Sequence, residues 1–292
     1  MKILNLITKP LEFIRKHLIA LAFLLIVFLI FAPKDEVADN ANLARLNLYG
    51  AILNSDGFLA ELNKLESNKN LKGILLVIDS PGGALAPSVE ISEAIKRVNA
   101  RIPIVAYAQG SMASGSYLAG VFADSIVANR GALLGSIGVI LNGADISELA
   151  QKLGIKPQTL KAGIYKEAGT FMRAWSKEEE EMLRGLIEEQ YNMFVSTIKE
   201  ARQIKAPTSE FAEGRILSAD SALKLGLIDK IGGIYEAQEI LAKKAGVKEM
   251  RWLKDDKDKL EVYLEKLFAN QVAKGVQNGV YNALVESFKI SF

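Results

Sequence analysis

The chain has 292 residues, no cysteine, one histidine and a formal net charge of +2. The absence of cysteine excludes a thiolate nucleophile, a disulfide and a cysteine-ligated metal site. The single histidine, His17, precedes a long apolar run, so a Ser-His-Asp triad and a histidine-ligated zinc site are excluded as well. Acidic and basic residues are mixed along the chain, which argues against a nucleic-acid partner.

The N-terminal region has the pattern of a membrane anchor. Residues 1–17 carry four Lys or Arg side chains against one acidic side chain, residues 18–32 carry no charge, and residues 33–44 form a polar linker. The apolar run is somewhat shorter than the ~20 residues of a full span. A buried core helix would need a polar face, and a cleaved signal peptide would need a clearer cleavage site. We therefore expect an uncleaved transmembrane anchor, with residues 1–17 in the cytoplasm and the rest outside it.

Apolar runs and amphipathic segments alternate from residue 46 onward. Continuous apolar runs predict buried strands, and apolar spacings of three or four predict helices. The predicted strands cover residues 46–53, 73–78, 103–108 and 125–128, and the predicted helices cover residues 57–65 and 88–98. This alternation predicts an α/β domain, residues 45–250, with a mostly parallel sheet.

The second half of this domain is predicted to be mainly helical. Predicted helices cover residues 146–153, 176–201 and 234–245, with a strand at 156–161 and a loop at 163–169. Ser176 and Glu179 form a capping box at the start of the long helix. Residues 251–292 show helical spacing with mixed charge. We expect this segment to pack on a neighbouring subunit rather than to lie on a membrane surface.

Ser114 is the candidate nucleophile. It follows an apolar strand, precedes a predicted helix and lies among small residues that allow a sharp turn. This places an exposed hydroxyl beside backbone N–H groups, which nucleophilic catalysis requires. Gly83, after the strand that ends in 79–83, and Gly115 are the candidate oxyanion donors. An ordinary tight connection is the alternative for each motif taken alone.

Lys166 is the candidate general base, since the chain offers no suitable histidine. A free lysine has a pKa of about 10.4 and becomes a base at neutral pH only when it is desolvated. Glu167 would oppose this change if its carboxylate faced the amine. Ser136, between two glycines, could orient the lysine amine or simply satisfy a local turn.

Four ordered motifs together resemble the signal peptide peptidase A (SppA) family of bacterial membrane-bound serine peptidases. They are residues 79–83, 110–115, 135–139 and 163–169, and the later segment 226–233 is similar too. The chain has the length of the short form of this family. One difference is Ser116, where the family commonly has glycine, and its hydroxyl is expected to narrow the cleft.

The resemblance implies a Clp-protease/crotonase-like α/β fold of repeated ββα units. It also implies a Ser-Lys dyad of Ser114 and Lys166, with Ser136 orienting the lysine and with Gly83 and Gly115 as oxyanion donors. Protomers of this family often borrow the lysine from a neighbour in a ring-like homo-oligomer, and the sequence leaves open whether Lys166 acts in its own chain or on a neighbouring protomer. The expected activity is endopeptidase cleavage of released signal peptides or other apolar peptides on the periplasmic side of the bacterial inner membrane, without metal or cofactor.

Two other functions fit part of the pattern. A crotonase-like enzyme acting on acyl-coenzyme A thioesters also uses paired backbone N–H donors, but the expected outward topology argues against it. A non-catalytic membrane scaffold would not need both Ser114 and Lys166.

Overall fold

The computed structural model describes residues 40–253. The predicted anchor at 18–32 and nearly all of the predicted C-terminal segment lie outside the described residues. Within residues 40–253, no helix combines the length and the apolar character needed to cross a membrane.

Strands and helices alternate through the first half of the described region, and helices dominate the second half. The strands are β1 Leu43–Tyr49, β2 Gly73–Ser80, β3 Ile104–Ala113, β4 Ser125–Ala128, β5 Leu133–Gly135, β6 Ile216–Ser218 and β7 Lys230–Ile231. The helices are α1 Asp56–Ser67, α2 Leu85–Asn99, α3 Gly115–Gly120, α4 Ser147–Lys152, α5 Lys177–Arg202, α6 Thr208–Phe211, α7 Ala219–Lys224 and α8 Ile234–Lys244.

The strands form one sheet with the order β1-β2-β3-β4-β7, and all of these pairs are parallel. β5 runs parallel to the end of β3, and β6 pairs with β5 in the antiparallel sense. The predicted α/β class with a mostly parallel sheet is confirmed.

Both faces of the central strands are buried. On β2, Leu76 and Ile78 face the larger core beneath α1, α2 and α5, whereas Leu75 and Val77 pack against α8. All four side chains are fully buried. A strand that is covered on both faces needs apolar residues at every position, which explains the continuous apolar run in the sequence.

β3 is longer than predicted because it continues through a bulge up to Ser114. Ile78 pairs with Ala108 but Ser80 pairs with Met112, so the register shifts between these two pairs. The carboxylate of Asp79 accepts a hydrogen bond from the Ser111 N–H (2.9 Å) across the bulge. Beyond it β3 leaves β4 and pairs with β5, which carries the chain toward the candidate site.

The predicted strand at 156–161 was wrong. These residues are exposed and irregular, and no strand of the described region lies beside them to accept their hydrogen bonds. They belong to a longer stretch, residues 141–175, which we call the lysine segment. Ala150 is its only buried residue. The first strand also begins earlier than predicted, at Leu43, and ends at Tyr49.

Candidate active site

Ser114 occupies a strained turn between β3 and α3. Its backbone angles, φ 53° and ψ −126°, lie in a region that L-residues rarely adopt and that costs roughly 1–3 kcal/mol. The turn is held by the Ser114 N–H, which donates to the Gly135 carbonyl (2.7 Å), and by the Ser114 carbonyl, which accepts from Tyr117 and Leu118. The side chain is half-buried and makes no capping hydrogen bond. Its hydroxyl is therefore available to a substrate.

The loop of residues 81–83 lies directly against Ser114 and Gly115. A Cβ on Gly82 would lie 2.6 Å from the Gly115 nitrogen and 2.9 Å from the Ser114 Cβ. On the other side of this loop, the Ile52 N–H donates to Gly82 and the Ile52 carbonyl accepts from Ala84. These two bonds use the groups that flank Gly83, so the Gly83 N–H points away from Ile52.

The two N–H groups predicted to hold an oxyanion are both unpaired. Within residues 40–253, neither the Gly83 nor the Gly115 N–H donates a hydrogen bond to another protein group. A Cβ placed on Gly115 would lie 3.3 Å from the Gly83 nitrogen, so the two donors are neighbours. Gly115 opens α3, where the first N–H groups have no partner inside the helix. A side chain is excluded at Gly83, because an added Cβ would overlap the Ile52 backbone, whereas at Gly115 an added Cβ would displace the Ser88 hydroxyl.

Ser136 lies beside the candidate nucleophile. It directly follows Gly135, whose carbonyl holds the Ser114 N–H, and it is half-buried. Its backbone is also strained, with φ 49°, and its N–H donates to the Arg215 carbonyl (2.6 Å). The fold therefore brings four of the five candidate residues together: Gly83, Ser114, Gly115 and Ser136.

The expectation for Ser116 was wrong. Its side chain is fully buried and points into the protein, so it does not narrow the cleft. Its Oγ accepts from the Ala113 N–H (2.9 Å) and lies within donating distance of the Ser80 carbonyl (2.7 Å) and the Ala113 carbonyl (2.9 Å). Ser80 precedes the 81–83 loop and Ala113 precedes the nucleophile, so Ser116 connects the two halves of the site. The sequence alone does not show that the Ser116 side chain points into the protein.

The Lys166 side chain has no hydrogen bond to Ser114 within residues 40–253. It lies in an exposed turn of the lysine segment, with its N–H donating to Gly163 (3.2 Å). Among the described residues, no hydrogen bond or ion pair joins its amine to Ser114 or Ser136. The neighbouring Glu167 carboxylate is instead bonded to Lys161, Arg173 and Thr159, which together hold its pKa below the ordinary value. Within residues 40–253, no group of three His, Cys, Asp or Glu side chains is placed to hold a metal ion.

Comparisons with known proteins agree with this geometry. The model of peptidase family S49 matches residues 96–248, and the Clp protease model matches residues 51–129. The second match supports a Clp-protease-like α/β fold. Together the two models cover the 81–83 loop, the Ser114 turn, Ser136 and Lys166.

Individual relatives are similar over most of the length of this chain. A candidate protease of Methanocaldococcus jannaschii is 38% identical over 187 residues, which are 64% of this chain and 60% of that protein. A candidate protease of Synechocystis is 35% identical over 230 residues, 78% of this chain and 80% of the relative. A candidate signal peptide peptidase SppA of Enterococcus faecium is 31% identical over 224 residues, 72% of this chain and 65% of the relative. The family model spans more than half of the chain, and the chain therefore belongs to peptidase family S49, as a serine-type peptidase of the SppA family.

Proposed function

We propose that this chain is a membrane-anchored serine endopeptidase in which Ser114 attacks the peptide carbonyl and Lys166 acts as the general base. The observation that carries the proposal is the arrangement at Ser114. An accessible hydroxyl lies on a strained turn, directly beside two backbone N–H groups that have no partner within residues 40–253. Donors fixed in this way stabilise the charge that develops on a carbonyl oxygen during acyl transfer.

In the proposed reaction, the neutral Lys166 amine takes the Ser114 proton as Oγ bonds to the carbonyl carbon. The Gly83 and Gly115 N–H groups hold the resulting oxyanion, and one such donor is typically worth about 3 kcal/mol in the transition state. The Lys166 ammonium then gives the proton to the leaving nitrogen as the C–N bond breaks. Lys166 finally takes a proton from a water molecule whose oxygen bonds to the acyl carbon, and it returns this proton to Ser114 Oγ as the acyl–oxygen bond breaks. The Ser136 hydroxyl forms a hydrogen bond with the Lys166 amine and orients it toward Ser114.

We further propose that the lysine is supplied by a neighbouring copy of the chain in a ring-like homo-oligomer. The lysine segment exposes many large apolar side chains, which a soluble monomer rarely does. The exposed apolar residues in and just before this segment are Ile140, Leu141, Leu149, Leu153, Ile155, Leu160, Ile164, Tyr165 and Phe171. A second copy seated on this surface would cover them and bring Lys166 to a dry site.

The decisive experiment mixes two inactive variants of the full-length chain. Ser114→Ala lacks the nucleophile and Lys166→Ala lacks the base, so each alone should fail to hydrolyse an apolar peptide. If the lysine is shared, co-assembly restores activity, because a Ser114→Ala copy lends Lys166 to the intact Ser114 of its neighbour. Mixed oligomers without activity would refute the sharing, and normal turnover by Lys166→Ala alone would refute the assigned base.

The substrates we propose are apolar peptides such as released signal-peptide fragments. The E. faecium relative carries the name of a signal peptide peptidase, and the uncharged residues 18–32 would hold the catalytic domain at the membrane where such fragments arise. The proposed location is the periplasmic side of the bacterial inner membrane, with residues 1–17 in the cytoplasm. Labelling of the C-terminus by a membrane-impermeant reagent would support this topology, and a protected C-terminus would contradict it.

The same labelling separates the peptidase from an acyl-coenzyme A enzyme, which would need a cytoplasmic domain. Paired N–H donors suit both reactions, but the match to family S49 favours the peptidase. Reaction of Ser114 with a serine-directed covalent probe would exclude a non-catalytic scaffold.

A further inference from the structure

A set of charged side chains holds the turn that carries Lys166. The residue after it, Glu167, accepts hydrogen bonds from Thr159 Oγ1 (3.0 Å), Lys161 Nζ (3.0 Å) and Arg173 Nη2 (3.1 Å). Only 20% of the Glu167 side chain is exposed, although most of the surrounding segment is open to solvent. Three donors from both sides of the turn thus meet at one carboxylate.

Arg173 connects this carboxylate to the start of α5. Its Nη1 and Nη2 atoms donate to the two carboxylate oxygens of Glu179 at 2.8 Å and 2.7 Å. Glu179 also accepts from the Ser176 N–H (2.9 Å) in the capping box, and its side chain is 4% exposed. Because a bidentate guanidinium–carboxylate pair is geometrically specific, the turn is fixed to a rigid helix end. We call Glu167, Arg173 and Glu179 the carboxylate clamp.

The clamp also keeps both carboxylates ionised and holds Glu167 in contact with Lys161 and Arg173. Bonds from Arg173 and the Ser176 backbone hold the pKa of Glu179 down to about 2, and bonds from Lys161, Arg173 and Thr159 lower the pKa of Glu167. Both carboxylates are therefore ionised at neutral pH. The Glu167 charge is engaged by Lys161 and Arg173, whereas no ion pair within residues 40–253 joins it to the adjacent Lys166. A carboxylate that turned toward the amine would favour the ammonium form.

We propose that Arg173 is a positioning residue for the general base: it fixes the 163–169 turn on α5 and keeps the Glu167 carboxylate away from the Lys166 amine. This inference rests on the proposed Ser114–Lys166 mechanism. Other charged residues near the receiving site are Asp79, which bonds the Ser111 N–H, and Arg215, whose carbonyl accepts from Ser136. They are the same in every variant below, so their effects cancel in the comparison.

The test is the pH profile of kcat/KM for Arg173→Gln in the full-length chain. Without Arg173, only Lys161 and Thr159 hold Glu167, so its carboxylate can turn more readily toward Lys166 and favour the charged amine. The acid limb should move up by about one pH unit, which is roughly a tenfold loss of kcat/KM at neutral pH. Adding Glu167→Gln to this variant removes the competing charge and should return the limb to its wild-type position. Arg184→Gln is the matched control, because Arg184 pairs with exposed Glu180 on the same helix (2.7 Å) and should change nothing.

A second measurement does not depend on activity. Tyr165 is 44% exposed in a single copy, beside Lys166. At protein concentrations low enough to dissociate the proposed oligomer, chymotrypsin cleavage after Tyr165 therefore reports on the anchoring of the turn. Cleavage should be several-fold faster in Arg173→Gln and in the double variant, and unchanged in Arg184→Gln. Equal cleavage in wild type and Arg173→Gln would overturn the anchoring, whatever the activity.

Different experimental results would overturn the role of Arg173 and the proposed function. Hydrolysis that depends on Ser114, with the same acid limb in wild type and Arg173→Gln, overturns the inference and leaves the mechanism intact. An acid limb that stays shifted in the double variant overturns the electrostatic half. Equal hydrolysis by wild type and Ser114→Ala overturns the mechanism itself.

Discussion

Replacement of Ser116 by alanine should weaken both the fold and the reactivity of Ser114. The hydroxyl is fully buried and bonds the Ala113 N–H and the Ser80 carbonyl. Each lost bond costs about 1 kcal/mol when the remaining partner finds another, and up to ~3 kcal/mol when it does not. Water has no access here, so we expect Ser116→Ala to lower the free energy of unfolding by about 2–4 kcal/mol. With a urea slope of about 2 kcal/mol per molar, the midpoint falls by roughly 1–2 M.

The effect on reactivity follows from what Ser116 connects. Without it, the 81–83 loop and the Ser114 turn are free to move apart, and a displacement of about 1 Å between reacting groups can cost roughly 100-fold in rate. We expect a serine-directed probe to label Ser114 about 10- to 100-fold more slowly in Ser116→Ala. Ser116→Gly should lower the free energy of unfolding further, because glycine in a helix costs up to ~1 kcal/mol relative to alanine.

The matched control is Ser92→Ala on α2. Ser92 is as buried as Ser116, but its hydroxyl has no hydrogen-bond partner within the described region. Its removal should leave the unfolding midpoint and the labelling rate almost unchanged. If Ser116→Ala behaved like Ser92→Ala in both assays, the role given to the Ser116 hydroxyl would be wrong.

Two further changes test the site and its support. Gly83→Ala should lower kcat for peptide hydrolysis by about 100- to 1,000-fold, since the new Cβ would overlap the Ile52 carbonyl and displace an oxyanion donor. The control is Gly57→Ala on α1, where the new Cβ meets open space and kcat should not change. Equal kcat values for the two variants would contradict the assignment of Gly83. Tyr117→Phe should cost about 1–3 kcal/mol of stability at pH 7, because the buried hydroxyl donates to the Leu227 carbonyl (2.6 Å). Burial raises the pKa of Tyr117 far above 10.0, so the unfolded chain ionises first and stability falls as pH rises beyond 10. Unfolding midpoints between pH 7 and 11 should show a shallower alkaline decline for Tyr117→Phe, and parallel declines would contradict the explanation.

Local patterns in the sequence were sufficient for the central sheet and the long helix. β2 was predicted because burial on both faces requires an unbroken apolar run. α5 was predicted because its capping box satisfies the first N–H groups, and the structure has both hydrogen bonds of the box. The close approach of Gly83, Ser114 and Gly115 also agrees with their predicted positions after strands. Ser136 lies beside them because it follows β5, a strand that was not predicted. The catalytic roles of all four residues stay predictions.

Other features depend on contacts between residues that are distant in sequence, and local patterns do not encode these. The bulge in β3 relies on Asp79 bonding Ser111, so the strand was predicted to end at residue 108. The direction of Ser116 depends on Ser80, which lies 36 residues earlier. Residues 156–161 were predicted to form a strand, but a strand forms only where a neighbour accepts its hydrogen bonds.

The lysine segment differs from the rest of the domain in the burial of its apolar side chains. Elsewhere, apolar side chains mark burial within the chain, and Leu75 and Leu76 are examples. In the lysine segment, Leu160 and Ile164 are just as apolar and remain exposed. Folding of one copy therefore does not use the apolar surface that this segment carries. If the segment is completed by a neighbour, as proposed, assembly buries this surface and delivers Lys166 in the same step. Activity should then depend on protein concentration in the range where the oligomer dissociates, whereas the unfolding of the core should not.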